Sequence, residues 1–143
     1  MFSLLLLACG TEPAPVADPP PPVEVAAEVP EPGLPELVLD GSQKWQVDAH
    51  TRAVMTELRA TLASATVTTA EDAAALSATV QGQLDRLIAG CTMTGAAHDE
   101  LHVFLLAFLP EVSALKTDPN VHVASRRVEA LRAHVAGYDE AFE

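Results

Sequence analysis

The chain is poor in aromatic residues and poor in bases, and each shortage narrows what it can be. Aromatics make up 4% of the 143 residues although 49% are hydrophobic, so Ala, Leu and Val must do the packing. That balance favours helices over a sheet. Only 8 residues are Lys or Arg against 20 Asp or Glu, for a net charge of -12, and the bases form no cluster. A charge-driven grip on nucleic acid or anionic lipid is therefore not expected. No apolar run approaches the length needed to span a bilayer. There is no strand-like alternation and no internal repeat. No Ser-His-Asp order, Gly-rich phosphate loop or paired-carboxylate site stands out, so nothing marks the chain as an enzyme. The absence of a Cys-x-x-Cys-His motif excludes covalent c-type haem on the usual pattern. At 143 residues the chain has room for one modest domain.

What is present is concentrated in Cys91-Thr92-Met93-Thr94-Gly95-Ala96-Ala97-His98-Asp99-Glu100-Leu101-His102. This segment joins a thiol, a thioether and two imidazoles, the side chains that soft and borderline transition metals prefer. One Cys, two His and a weak Met form the ligand set of blue-copper sites, which this segment resembles. His98 and His102 stand four apart and share a face on a helix. The candidate metal ligands are thus Cys91, Met93, His98 and His102, with copper as the expected ion. Zinc competes, because Cys and two His leave a fourth position that water can fill. Met is a poor zinc ligand, so Met93 discriminates between the two. Asp99 and Glu100 suit hydrogen bonds to the non-ligating His nitrogens. They equally suit the first turn of a helix, where acids favour the dipole, and that reading weighs more.

The N-terminus reads as a processing signal. Phe2 to Ala8 is apolar and leads into Leu6-Leu7-Ala8-Cys9-Gly10. Leu three before, and a small residue just before, a Cys resembles the lipobox of bacterial lipoproteins. The resemblance covers the first ten residues, although no basic segment precedes the apolar run as in an ordinary signal. It implies that Cys9 is acylated, becomes the mature N-terminus and anchors the protein to a bacterial membrane, facing the periplasm or the cell surface. Cys91 is then the one thiol left, and an unpaired thiol in an oxidising compartment calls for burial, pairing or a ligand role.

Residues 10–41 read as a disordered linker. Nine prolines lie between Pro13 and Pro35, among Ala, Val and Glu, with no Lys or Arg. Such a composition cannot build a core, and it favours an extended tether. Its seven acids (Glu12, Asp18, Glu24, Glu28, Glu31, Glu36 and Asp40) account for much of the net charge. The remaining 13 acids face 8 bases, so the folded part is only mildly acidic.

Residues 42–143 read as four helices, hence an all-α, up-down-up-down four-helix bundle. The first is expected over about 43–65, capped by Ser42, with Val47, Val54, Met55, Leu58 and Leu62 at helical spacing. The second runs over about 70–89, with Thr68 and Glu71 as a capping box and Gly90 as its terminator. Its stripe of Ala73, Leu76, Val80, Leu84 and Leu87 steps on to Cys91. The third starts near Gly95, capped by Thr94, and carries Leu101, Leu105, Phe108, Val112 and Leu115 in a bundle-seam rhythm. Pro110 predicts a kink or a break there. The fourth begins with Asp118 as cap and Pro119 in first position, with Ala124, Val128, Leu131, Val135, Tyr138 and Phe142 as its stripe.

This layout gathers Cys91, Met93, His98 and His102 at one end of the bundle, where two helices meet at a loop. His122, on the fourth helix, is a loose candidate to approach them. His50 and His134 read as surface or boundary residues. The expected role is electron transfer or copper handling. The rivals are a cofactor-free interaction bundle, a zinc site and a b-type haem bundle. The last resembles the four-helix periplasmic cytochromes in size and architecture alone, and it implies Met55 with a fourth-helix His as axial ligands.

Overall fold

A computed structural model describes residues 33–143. The signal-like segment 1–9, with Cys9, and residues 10–32 of the expected linker lie outside the described residues. Four helices account for most of what is described: α1 (Ala49–Ser64), α2 (Ala70–Gly90), α3 (Ala96–Thr117) and α4 (Val121–Ala141). Each packs on the next, α1 also packs on α4, and the diagonal contact runs between α2 and α4. That is the ring of neighbours an up-down-up-down bundle requires, and short loops enforce it. Apart from two isolated bridges, no β-structure occurs among the described residues. No described helix is long and apolar enough to cross a membrane.

The apolar stripes supply the core. Met55, Leu58 and Leu62 from α1, Val80, Leu84 and Leu87 from α2, Leu101, Phe108 and Leu115 from α3, and Ala124 and Leu131 from α4 are almost wholly shielded from solvent. Charged groups then tie the helices at their edges. Arg59 of α1 grips Asp139 of α4 through both carboxylate oxygens. Arg132 of α4 donates to the Leu62 carbonyl at 3.0 Å and the Ala65 carbonyl at 2.9 Å. It thereby satisfies acceptors at the C-terminus of α1, which has no basic residue in its last turn.

The helix starts differ from the sequence expectations by up to six residues. α1 begins at Ala49, capped by Asp48, and not at Gln43. Ser42 instead sits in a turn closed by paired Asp40–Gln43 hydrogen bonds, with Gly41 at φ +65°. Residues 45–47 then run extended beside the end of α4. Trp45 donates to the Ala141 carbonyl at 2.8 Å, Glu143 donates to Trp45 at 2.9 Å, and Val47 donates to Glu143 at 3.1 Å. This pairing withdraws the segment from α1 although Val47 keeps the stripe's spacing. At α2 the capping box uses Thr69 and Asp72 in place of Thr68 and Glu71. Hydrogen bonds from the Thr68 and Thr69 hydroxyls and amides hold the Asp72 carboxyl down at about 2. Gly95, not Thr94, caps α3, and Asn120, not Asp118, caps α4 with its side-chain oxygen.

Pro110 lies inside an unbroken α3. Its ring removes the N–H that the Leu106 carbonyl would accept. Leu106 and Pro110 are both exposed, so the freed carbonyl faces water and the helix continues.

The described end of the expected linker is held against the bundle. The Val38 amide donates to Glu100 Oε1 at 2.6 Å, and the Trp45 indole donates to the Val38 carbonyl at 2.8 Å. Leu37 is half-buried against the core.

Candidate metal centre

The end of α2 and the start of α3 are joined by a five-residue loop, Cys91 to Gly95, of which Cys91 is the C-cap of α2. The loop turns back through Gly95, whose φ of +70° is costly for any residue with a Cβ. This reversal lays the first turn of α3 beside the last turn of α2. It brings Cys91 Sγ to 3.7 Å from His98 Nδ1. One turn along α3, the His102 ring stands 4.3 Å from that of His98, centroid to centroid, at a tilt of 56°. These three side chains line a small cleft of about 40 Å³ with Leu87, Ile88, Leu101 and Leu105. Cys91 and His98 are half-buried and His102 is exposed.

Met93 is placed differently. It is half-buried and packs against the hydrophobic core, outside the residues that line the cleft. Cys91 therefore approaches His98, His102 lies beside His98, and Met93 is not among the residues that line the cleft. Among the described residues, no three His, Cys, Asp or Glu side chains are already gathered into a metal-holding group.

The donors fit a shared soft or borderline ion in one respect that can be measured. Bond lengths near 2.3 Å to sulfur and 2.0–2.1 Å to nitrogen, at a tetrahedral angle, separate two such ligands by about 3.6 Å. The Cys91–His98 separation of 3.7 Å is close to that. It is also a hydrogen-bond length when sulfur takes part. A cation would hold the thiol as thiolate, the form in which cysteine ligates.

The flanking acids divide. Asp99 is exposed in the first turn of α3. Glu100 is buried on the other flank and holds the Val38 amide, so it does not serve the imidazoles. Of the remaining histidines, His122 opens α4 beside the end of α3. Roughly 30 Å of helix then separates it from His98, and it does not approach the cleft. His50 lies in the first turn of α1 with Nε2 2.8 Å from the Arg86 carbonyl. His134 is buried in the core, against the expectation of a surface or boundary residue. Met55 is fully buried, and the cavity it lines is walled by Val47, Arg52, Arg59, Tyr138, Phe142 and Glu143, with no histidine to pair with it across a haem.

Asp48 is the residue that the sequence did not single out. As the N-cap of α1 it accepts the Thr51 amide at 2.6 Å. Its second oxygen accepts both the amide and the hydroxyl of Thr92, at 2.6 and 2.7 Å. Burial pushes the Asp48 carboxyl up, but the hydrogen bonds from Thr51 and Thr92 outweigh it and hold the group well below the usual carboxylate range. A cap residue followed by an amphipathic run marks Asp48 as a helix start. Nothing local marks its partner 44 residues away.

No protein-family model, curated protein or solved structure matches the chain.

Proposed function

We propose that the bundle binds one soft or borderline transition-metal ion, copper in the first place, through Cys91, His98 and His102, and serves in electron transfer or copper handling. The observation that carries this reading is the 3.7 Å approach of Cys91 Sγ to His98 Nδ1, with the His102 ring beside it at the mouth of an apolar cleft. His102 is exposed and completes the set by turning about its own side-chain bonds. The Leu87, Leu101 and Leu105 walls limit water at the site, which for a redox ion also tunes the potential. Met93 is the weak fourth ligand of the copper reading, and its packing outside the cleft favours zinc as the second reading. With zinc, Cys91 and the two His leave one position open to water.

Metal analysis and absorption spectroscopy of the purified full chain test both. Copper(II) is expected to bind at one equivalent with an intense visible band, because an easily oxidised thiolate is bonded directly to the ion. Cys91→Ala abolishes the band, and His98→Ala and His102→Ala weaken binding severely. Met93→Leu keeps the site and shifts its potential. Colourless binding that is indifferent to Met93→Leu identifies zinc. No stoichiometric metal at all ends both readings and leaves a cofactor-free interaction bundle.

We further propose that Cys9 carries lipid and tethers the bundle to a bacterial membrane, on the strength of Leu6-Leu7-Ala8-Cys9. In the native host Cys9→Ser is expected to move the protein from the membrane fraction to the soluble one. A wild-type protein already soluble there disproves the anchor.

A further inference from the structure

The first turn of α1 grips the end of α2 and the loop beyond it at two places. Asp48 uses one carboxylate oxygen on the Thr51 amide and the other on the amide and hydroxyl of Thr92. Two residues on, the His50 ring lies against Gly90, with Nε2 at hydrogen-bond distance from the Arg86 carbonyl. A Cβ at position 90 would run into that ring, so glycine is what lets α1 come so close. Thr92 directly follows Cys91, and apart from the Cys91–His98 contact the loop contributes no other side-chain hydrogen bond to a helix among the described residues. The position of Cys91 opposite His98 is therefore set from both sides: by α3, which carries the imidazole, and by α1, which fixes the next residue of the loop.

We propose that Asp48 is a positioning residue for the Cys91–His98 pair, a clamp that pins the loop at Thr92 and so holds the thiol in the cleft. The consequence for metal binding rests on the function proposed above, whereas the clamp itself does not. A hydrogen bond to an ionised acceptor is shorter and stronger than one between neutral groups, and Thr92 makes two to one oxygen. Releasing them should let the loop open locally while the four helices stay packed.

Serine separates the two duties of Asp48. It caps helices well, but its single short hydroxyl cannot also reach Thr92. The experiment uses the full chain with Cys9→Ser, so that Cys91 is the only thiol, and compares it with Asp48→Ser and Thr92→Val in the same background. In metal-free protein, Asp48→Ser is expected to speed exchange of the Thr92 amide, and alkylation of Cys91 by iodoacetamide, by roughly tenfold or more at unchanged helical content. Thr92→Val, which loses the hydroxyl bond and keeps the amide bond, should fall between. Copper(II) affinity should drop in the same order. If Asp48 only caps α1, Asp48→Ser alkylates and exchanges like the parent, and the clamp is disproved. If the parent binds no copper, the proposed function fails and the two metal-free rates still decide on the clamp. If Asp48→Ser does not fold, Thr92→Val decides alone: faster alkylation supports the clamp and an unchanged rate overturns it.

Discussion

Phe108→Ala is expected to remove about 3–5 kcal/mol of stability, the usual cost of truncating a large buried aromatic. Phe108 is fully shielded at the middle of α3. Its ring stacks on Phe104 at 5.0 Å and receives His134 edge-on at 6.0 Å. Phe104 and His134, which would border the void, are themselves buried and already held in the core. They cannot swing in to fill it without leaving their own contacts. A domain of this size has a total stability of about 5–15 kcal/mol, so the loss consumes a large part of the margin. The melting temperature should fall on the order of 15 °C or more. Leu106, two residues earlier on the same helix, is 75% exposed, and its change to Ala should cost within about 0.5 kcal/mol. Urea unfolding of the two variants side by side measures the difference. Similar midpoints for both would mean that α3 does not present this face to the core.

The stripe that contains Phe108 was legible without coordinates. Leu101, Leu105, Phe108, Val112 and Leu115 follow helical spacing, and all five are buried. The same is true of Ala124, Val128, Leu131, Val135, Tyr138 and Phe142 on the α4 side. Periodicity finds such faces because burial acts along the whole length of a helix. It does not find ends, which are decided by single hydrogen bonds. Thr68 and Thr69 are equally competent caps, as are Asp118 and Asn120; Asp118 instead closes α3 as its C-cap, which leaves the start of α4 to Asn120. The start of α1 was missed for a different reason. Residues 45–47 pair with the last residues of the chain, nearly a hundred positions away, and no local pattern announces that pairing.

The candidate site divides along the same line. Cys91 and His98 meet because a short loop joins two helices that must lie side by side, and loop length is visible in the sequence. Met93 was expected to converge with them but is not among the residues that line the cleft, since the direction of one loop side chain depends on backbone angles that composition does not encode. The Asp48–Thr92 link spans 44 residues and appears only once α1 is packed against the α2–α3 corner. His134 looked like a boundary residue because imidazole is polar; its position on α4 between Leu131 and Tyr138 places it inside.

That burial gives the second large effect. His134 is 1% exposed, and neither ring nitrogen has a hydrogen-bond partner among the described residues. Leaving such groups unpaired costs about 1–3 kcal/mol. Desolvation lowers the imidazole pKa, and the Glu111 carboxylate on α3 only partly offsets it. The sign follows from proton counts. Below about 6.5 the unfolded chain binds a proton at His134 that the folded chain refuses, so stability falls as the pH drops below that value and keeps falling toward the lowered folded pKa. Full coupling amounts to about 1.4 kcal/mol for each pH unit crossed. His134→Leu replaces the ring with an apolar side chain of similar volume. It should leave the protein at least as stable at pH 7 and flatten its loss of stability between pH 7 and 5. The other four histidines are exposed or half-buried at the surface and remain in both proteins, so they cancel in the comparison. Urea denaturation at several pH values reads the slope directly. A His134→Leu protein that loses stability as steeply as the wild type over this range would show that His134 takes up its proton in the folded state, through an opening of the α3–α4 interface.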